Sequence, residues 1–236
     1  MGRAFELRKG RKMKRWSAMS KVFTRLSRDI TMAVKDGGDD PDHNLRLKML
    51  IQNSKAANMP KDNITRAIKK ATDKGGADYK TIIYEGYAPH GIAVLVETAT
   101  DNHMRTVANV RSYFNKTNGS LGTSGSVEFM FEHKCVFKIA NQEGLDPEEL
   151  ELELIDAGAE EIGVDGDEVI IYGNFSDFGA IHAALEELGH ETLSSEFERV
   201  PTDVKKLTEE QEADVDKLLE KLEEDEDVQN VYHNMA

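Results

Sequence analysis

The hydrophobic period of this chain changes once, and the change divides the fold. From Ser20 to Ala71 apolar residues recur every three or four positions, the spacing of a helix with one buried face; from Thr81 they alternate or run in short blocks, as strands do. The switch falls on "DKGGAD", Asp73 to Asp78, whose paired glycines suit neither element. Such a pattern excludes a purely helical bundle and a purely β sandwich. It predicts an α+β protein with a helical unit first, and 236 residues are enough for one to three domains.

Charge divides at the same seam. Residues 1–80 hold 20 Lys and Arg against 9 Asp and Glu, a formal +11, whereas residues 81–236 hold 10 against 35, a formal -25. The whole-chain value of -14 conceals this split. An asymmetry of this kind points to a polyanion-binding module joined to something else.

The basic part reads as three helices. In the first, Phe23, Leu26, Ile30 and Ala33 form the face to be buried, and Lys21, Arg25, Arg28 and Lys35 form a cationic stripe opposite. "DGGDDPDHN" breaks it, and a second helix sets Leu47, Leu50 and Ile51 beside Lys48, Gln52 and Lys55. Asn58 suits the stop of that helix and Pro60 the first turn of the next. There Ile64, Ala67, Ile68 and Ala71 face inward while Arg66, Lys69 and Lys70 point away. A charged outer face on one helix usually does no more than keep it wet; three in succession favour a surface matched to phosphates. Residues 3–15 strengthen that reading with Arg3, Arg8, Lys9, Arg11, Lys12, Lys14 and Arg15, and with Phe5 and Trp16 as stacking groups on a flexible arm that orders on a polyanion. Helix two, the turn and helix three admit a helix-turn-helix, but few side chains on helix three suit base edges, so contact with the nucleic-acid backbone is expected.

In the acidic part, "IIYEGYAPHGIAVLVETAT" gives two strands around an "APHG" turn, "DNHMRTVANVRSYFNK" a helix with Val107, Val110 and Phe114 inward, and "SVEFMFEHK" a strand. The glycine-rich Asn118–Ser126 between them leads from helix to strand and lacks a Gly-Lys-Ser/Thr ending, so it is expected to be a mobile loop touching a partner and not a phosphate cradle. Next come strand "CVFKIA", a helix over 147–157 opened by an Asp146–Glu149 capping box and closed by Gly158, and a hairpin turning on Asp165-Gly166. A helix capped by Ser176, with Phe178, Ile181, Leu185 and Leu188 inward, and strand "ETLSSEFERV" complete the order β-α-β-β-α-β, the ferredoxin-like split unit. A capping box from Thr208 to Gln211 opens a last helix on Val215, Leu218, Leu219 and Leu222, and "VQNVYHNM" ends the chain as a strand. The expected division is residues 1–80, a middle α/β domain of 81–134 plus 202–236, and a ferredoxin-like domain of 135–201 inserted in it.

Chemistry for catalysis is not legible. The seven histidines do not fall at metal-ligand spacing, the acidic runs read as solubilising faces, and Cys135, the single cysteine, reads as a buried thiol that allows no internal disulfide. No catalytic residue, metal, cofactor or small-molecule substrate is expected. The apolar runs fall well short of the roughly 20 residues that cross a bilayer. With no secretory or myristoylation signal at "MGRAFE", a cytoplasmic protein without membrane contact is expected.

Three stretches, "AANMPKDNITRAIKK" (56–70), "YEGYAPHGIAVLVETATDN" (84–102) and "NGSLGTSGSVEFMFE" (118–132), resemble the YebC/PmpR family, which includes the mitochondrial translational activator of cytochrome c oxidase subunit I. The resemblance implies three domains, with a ferredoxin-like one inserted in the middle domain, and a cytoplasmic regulator of gene expression that is not an enzyme. It implies a DNA-binding transcriptional regulator or, alternatively, a ribosome-associated factor that contacts rRNA or tRNA and relieves stalling at proline-rich stretches. A protein-recruiting scaffold is the third reading. By motif match Lys61, Arg66, Lys69 and Lys70 carry over as nucleic-acid contacts, with Met59 and Pro60 shaping the turn. Where many members open with His-Ser-Lys-Trp, this chain has "GRAFELRKGRKMKRWSAMSK", which keeps the basicity but not the individual residues. The full candidate set is therefore Arg8, Lys9, Arg11, Lys12, Lys14, Arg15, Lys21, Arg25, Arg28, Lys48, Lys55, Lys61, Arg66, Lys69 and Lys70.

Overall fold

A computed structural model describes residues 19–72, 78–142 and 144–236. The basic arm, with Arg8, Lys9, Arg11, Lys12, Lys14 and Arg15, lies outside the described residues. Three helices come first: α1 Met19–Gly37, α2 Leu45–Ala56 and α3 Lys61–Thr72. Asn44 joins the first two. Its side-chain carbonyl accepts from the Leu47 N–H to start α2, and its amide donates to the carbonyls of Ala33 and Gly38 to close α1. Asn58, at φ 58°, turns the chain out of α2 through the left-handed region that asparagine tolerates, and the Met59 N–H reaches back to the Ser54 carbonyl.

The first sheet is antiparallel in the order β3-β1-β2-β8, from β1 Lys80–Ala88, β2 Ile92–Thr100, β3 Ser120–Leu121 and β8 Val228–His233. Alternation along β2 feeds two cores. Ile92, Val94 and Val96 pack with Val110 and Phe114 of α4 (His103–Lys116) and with Val215, Leu218 and Leu222 of α7 (Glu209–Glu224). Ala93 and Leu95 meet Val127, Phe131 and Tyr232 on the other face. Burial on both faces is why β2 reads as a continuous apolar run.

The second sheet is also antiparallel, ordered β5-β6-β4-β7, from β4 Phe131–Ala140, β5 Ala159–Asp165, β6 Glu168–Asn174 and β7 Thr192–Pro201. Helices α5 Pro147–Leu154 and α6 Phe178–Glu187 cover the face that carries Cys135, Phe137, Ile139 and Ile171. That core is continuous with Ile30, Leu47 and Ile64 of the helical unit. Residues 131–201 thus stand between β3 and α7, two elements of the first sheet's layer, and strand β4 runs unbroken through positions 134 and 135.

Several local expectations shift. Asp146 accepts from the Glu148 N–H, the hairpin turns on Gly166-Asp167 because Asp165 pairs with Glu168, and Ser176 lies in a 3-10 turn while α6 begins at Phe178 without a side-chain cap. The Thr208–Gln211 capping box is present in both directions. Helix α2 buries Met49 as well as Leu47 and Leu50, because it lies between α1 and the edge of β7.

At that edge Asn53 replaces a missing strand: its amide donates to the Ser195 carbonyl and its side-chain oxygen accepts from the Ser195 N–H at 2.9 Å. Asn53→Ala orphans both groups in a half-buried setting and is expected to cost about 1–3 kcal/mol, read as a lower urea midpoint with an unchanged slope.

Candidate nucleic-acid interface

Helix α3 is the cationic helix that keeps its charge outward. Ile64 and Ala67 are buried, with Thr31 of α1 donating to the Ala67 carbonyl, and the 3.6-residue turn then leaves Lys61, Arg66, Lys69 and Lys70 exposed. Arg66 lies along its own helix, with Nε donating to the Asp62 carbonyl and a terminal nitrogen to the Asn63 side chain. Lys55, in the last turn of α2, and Lys21 on α1 are also exposed. None of Lys21, Lys55, Lys61, Lys69 and Lys70 has an ion-pair partner among the described residues.

The rest of the expected stripe points elsewhere. Arg25 donates to the Glu223 carbonyl, and Lys48 pairs with Glu186 of α6. Arg28, with its side chain 12% exposed, donates to the carbonyls of Ala99 and Glu226, pairs with Asp227 at 3.2 Å and lies 5.2 Å over the Tyr79 ring. Arg25, Arg28 and Lys48, expected to present charge to a ligand, are engaged within the chain in this geometry. The acidic α7–β8 turn packs on α1, so Arg25 and Arg28 meet its carboxylates and carbonyls, while Lys48 is met by α6. Lys35 pairs with Asp78.

Asp227 is the hub of that junction. Its buried carboxylate also accepts from Arg105 at 2.8 Å, from Thr106 at 2.8 Å and from Thr100 at 3.3 Å. Burial pushes its pKa up, but the Arg105 and Thr106 hydrogen bonds and the charges of Arg105 and Arg28 outweigh burial and hold it below the usual carboxylate value.

Beside the hub, Gln229 of β8 donates to Asp29 of α1 at 3.1 Å. Burial raises Asp29 to about 7; Glu97 adds to the rise, and Arg46, Gln229 and Arg25 oppose it. The native state therefore holds a proton that the unfolded chain releases near pH 4, and this contribution to stability is lost as pH rises toward 7. His133, lowered to about 4 by burial and by Arg199, has the opposite slope, with stability gained as pH rises from about 4 to 6.5. Asp29→Asn keeps the Gln229 hydrogen bond and removes one titration. Its stability relative to the parent should rise from pH 5 to pH 8 in parallel denaturation series, while the His133 contribution cancels in the difference.

The glycine-rich loop, expected to be mobile, is fastened to β1. Glu85, 3% exposed, accepts the N–H groups of Gly125, Val127 and Glu128 on its carboxylate, and its carbonyl accepts from Gly122. Burial raises the pKa of this carboxyl and the ring of backbone N–H groups more than offsets it, for a net lowering. The loop does form an anion nest, and the anion in it is the protein's own. Cys135 donates to the Asn174 carbonyl, and burial pushes its thiol up to about 11, the environment of a packing residue. Among the described residues no group of three His, Cys, Asp or Glu is placed to hold a metal ion, and no helix is long and apolar enough to cross a membrane.

A cationic helical unit joined through Arg25 and Arg28 to an acidic body of two antiparallel sheets defines an α+β protein. The family model described as the TACO1/YebC protein N-terminal domain matches residues 3–74, and the one described as the TACO1/YebC second and third domain matches residues 79–235. The chain belongs to the TACO1/YebC family. A probable transcriptional regulatory protein of Flavobacterium psychrophilum is 67% identical over 235 residues, with 100% of this chain and 99% of the relative covered. One of Myxococcus xanthus, with the same description, is 52% identical with 100% of both chains covered. The crystal structure of a conserved hypothetical protein from Aquifex aeolicus, Aq1575, superposes with a TM-score of 0.79 at 38% identity over 94% of this chain and 91% of that one.

Proposed function

We propose that this protein is a nucleic-acid-binding regulator of gene expression that docks the exposed cations of α3, with Lys21, Lys55 and the basic arm, on phosphates. DNA-binding transcriptional regulation is the leading reading, and the description carried by the relatives supports it. The observation that carries the proposal is the exposed charge of Lys61, Lys69 and Lys70, without an ion-pair partner among the described residues, beside Arg66 on one helix of an acidic protein. Such a face releases counterions when it meets phosphates.

Contact with rRNA or tRNA at the ribosome is the second reading. One feature favours it: the exposed side of α3 offers lysines and an arginine, while its amide side chain, Asn63, is engaged by Arg66, so little remains for reading base edges in a groove. We infer a cytoplasmic protein that acts by binding and not by catalysis. We further infer a division into residues 1–80, 81–134 with 202–236, and 135–201, the last ferredoxin-like as its strand order β5-β6-β4-β7 supports. Gradient sedimentation of lysate tests the readings. Migration with ribosomes that ribonuclease abolishes supports the translational one; migration with DNA that deoxyribonuclease abolishes supports the transcriptional one. Free migration under both conditions leaves the protein-recruiting scaffold.

A further inference from the structure

We propose that the cleft between α1 and α3 seats a single nucleotide, with its phosphate held by Arg66 and Lys70 and its base against Tyr79. The inference rests on the nucleic-acid reading and adds the ligand unit that enters the protein. The cleft is an open groove of about 390 Å³, at the lower end of the roughly 300–1,000 Å³ of small-molecule sites. Phe23, Ser27 and Ala67 line it together with the two cations and the aromatic ring. A phosphate backbone resting on a convex helix needs no hollow. A hollow that pairs cations with an aromatic ring suits a base that has left its stack.

Polarity fixes the direction of entry. A neighbouring cavity of about 460 Å³ shares Arg28 and Tyr79, but there the four carboxylates of Asp101, Asp225, Glu226 and Asp227 outnumber the two guanidiniums of Arg28 and Arg105. Those carboxylates repel phosphate and confine it to the α3 side. Arg28 stands between the two cavities with its charge engaged by Asp227, and its contact with Tyr79 steadies the ring that the base would meet.

The test is calorimetric titration of the full chain with adenosine monophosphate and with inorganic phosphate. The monophosphate should bind about tenfold more tightly than phosphate. Tyr79→Leu should remove that advantage and leave phosphate affinity unchanged, Tyr79→Phe should retain it, and Lys70→Gln should weaken both ligands. Thermal unfolding of Tyr79→Leu checks that loss of the Arg28 contact has not unfolded the chain. Competition by a single-stranded oligonucleotide marks the seat as one for a nucleotide within a strand; titration without competition marks it as one for the free nucleotide. A monophosphate that binds no better than phosphate, or an advantage that survives Tyr79→Leu, overturns the proposal. If salt-sensitive binding of long nucleic acid persists in that case, only the cleft assignment has failed; if no nucleic acid binds, the functional reading has failed.

Discussion

Arg66→Glu/Lys69→Glu/Lys70→Glu should lower nucleic-acid affinity by roughly two orders of magnitude at about 100 mM salt, since three phosphate contacts become repulsions. The slope of log affinity against log salt should shrink by about 2.7 on duplex DNA, or 0.9 per phosphate contact removed. Filter binding or fluorescence anisotropy across a salt series measures both. Stability needs a separate control, because Lys69 and Lys70 lie in the last turn of α3, where glutamates oppose the helix dipole at about 0.3–1 kcal/mol each. The neutral variant Arg66→Gln/Lys69→Gln/Lys70→Gln avoids most of that cost. It should still show the same drop of about 2.7 in the salt slope while unfolding at nearly the parent temperature, which separates a surface that binds from a surface that merely keeps the helix soluble.

The largest effect on stability is expected at Asp227, in the junction between α1 and the acidic body. Asp227→Ala leaves the Arg28 guanidinium with only the exposed Glu226 carboxylate at 3.9 Å in place of its buried partner and removes the acceptor of the Thr100 and Thr106 hydroxyls. Removing one partner of a buried ion pair costs about 3–5 kcal/mol, a large share of the ~5–15 kcal/mol that holds a domain folded. Arg105 softens the loss, because its side chain is 48% exposed and can turn to water. The pH dependence has a definite sign. With the folded pKa of Asp227 held below its unfolded value, the contribution is present above the ordinary carboxylate pKa and is lost as pH falls through the folded value. The gap between parent and variant should therefore be widest at neutral pH and close in acid. A double-mutant cycle with Arg28→Ala should return a coupling within the ~0.5–3 kcal/mol of contacting groups.

How much of this was legible in sequence depended on whether the signal was local. Period and capping are local, so the three helices, the Thr208–Gln211 box and the longer strands follow from spacing, while the two-residue strand Ser120–Leu121 inside the glycine-rich stretch does not. The cationic face of α3 was equally legible, because its burial partners Ile64 and Ala67 sit on one side. The engagement of the α1 stripe was not legible for a long-range reason: spacing places Arg25 and Arg28 on one face but is silent about Glu223 to Asp227, some two hundred positions away, which meet that face. Asn53 gave no signal either, since an asparagine bridging the edge of β7 looks like any polar residue on a helix. In the glycine-rich loop the order of elements argued against a phosphate cradle. What spacing could not supply was that the carboxylate of Glu85, on another strand, fills the nest.

The central claim is that nucleic acid meets this protein on α3 and its neighbours and avoids the acidic body. Lysine acetylation footprinting of the full chain, with and without a saturating nucleic acid, tests that most directly. Lys55, Lys61, Lys69 and Lys70 should become protected, while Lys205 and Lys217, which hold His90 and Asp214 on the acidic body, should react at unchanged rates. Protection at Lys205 and Lys217 with α3 left reactive would contradict the account.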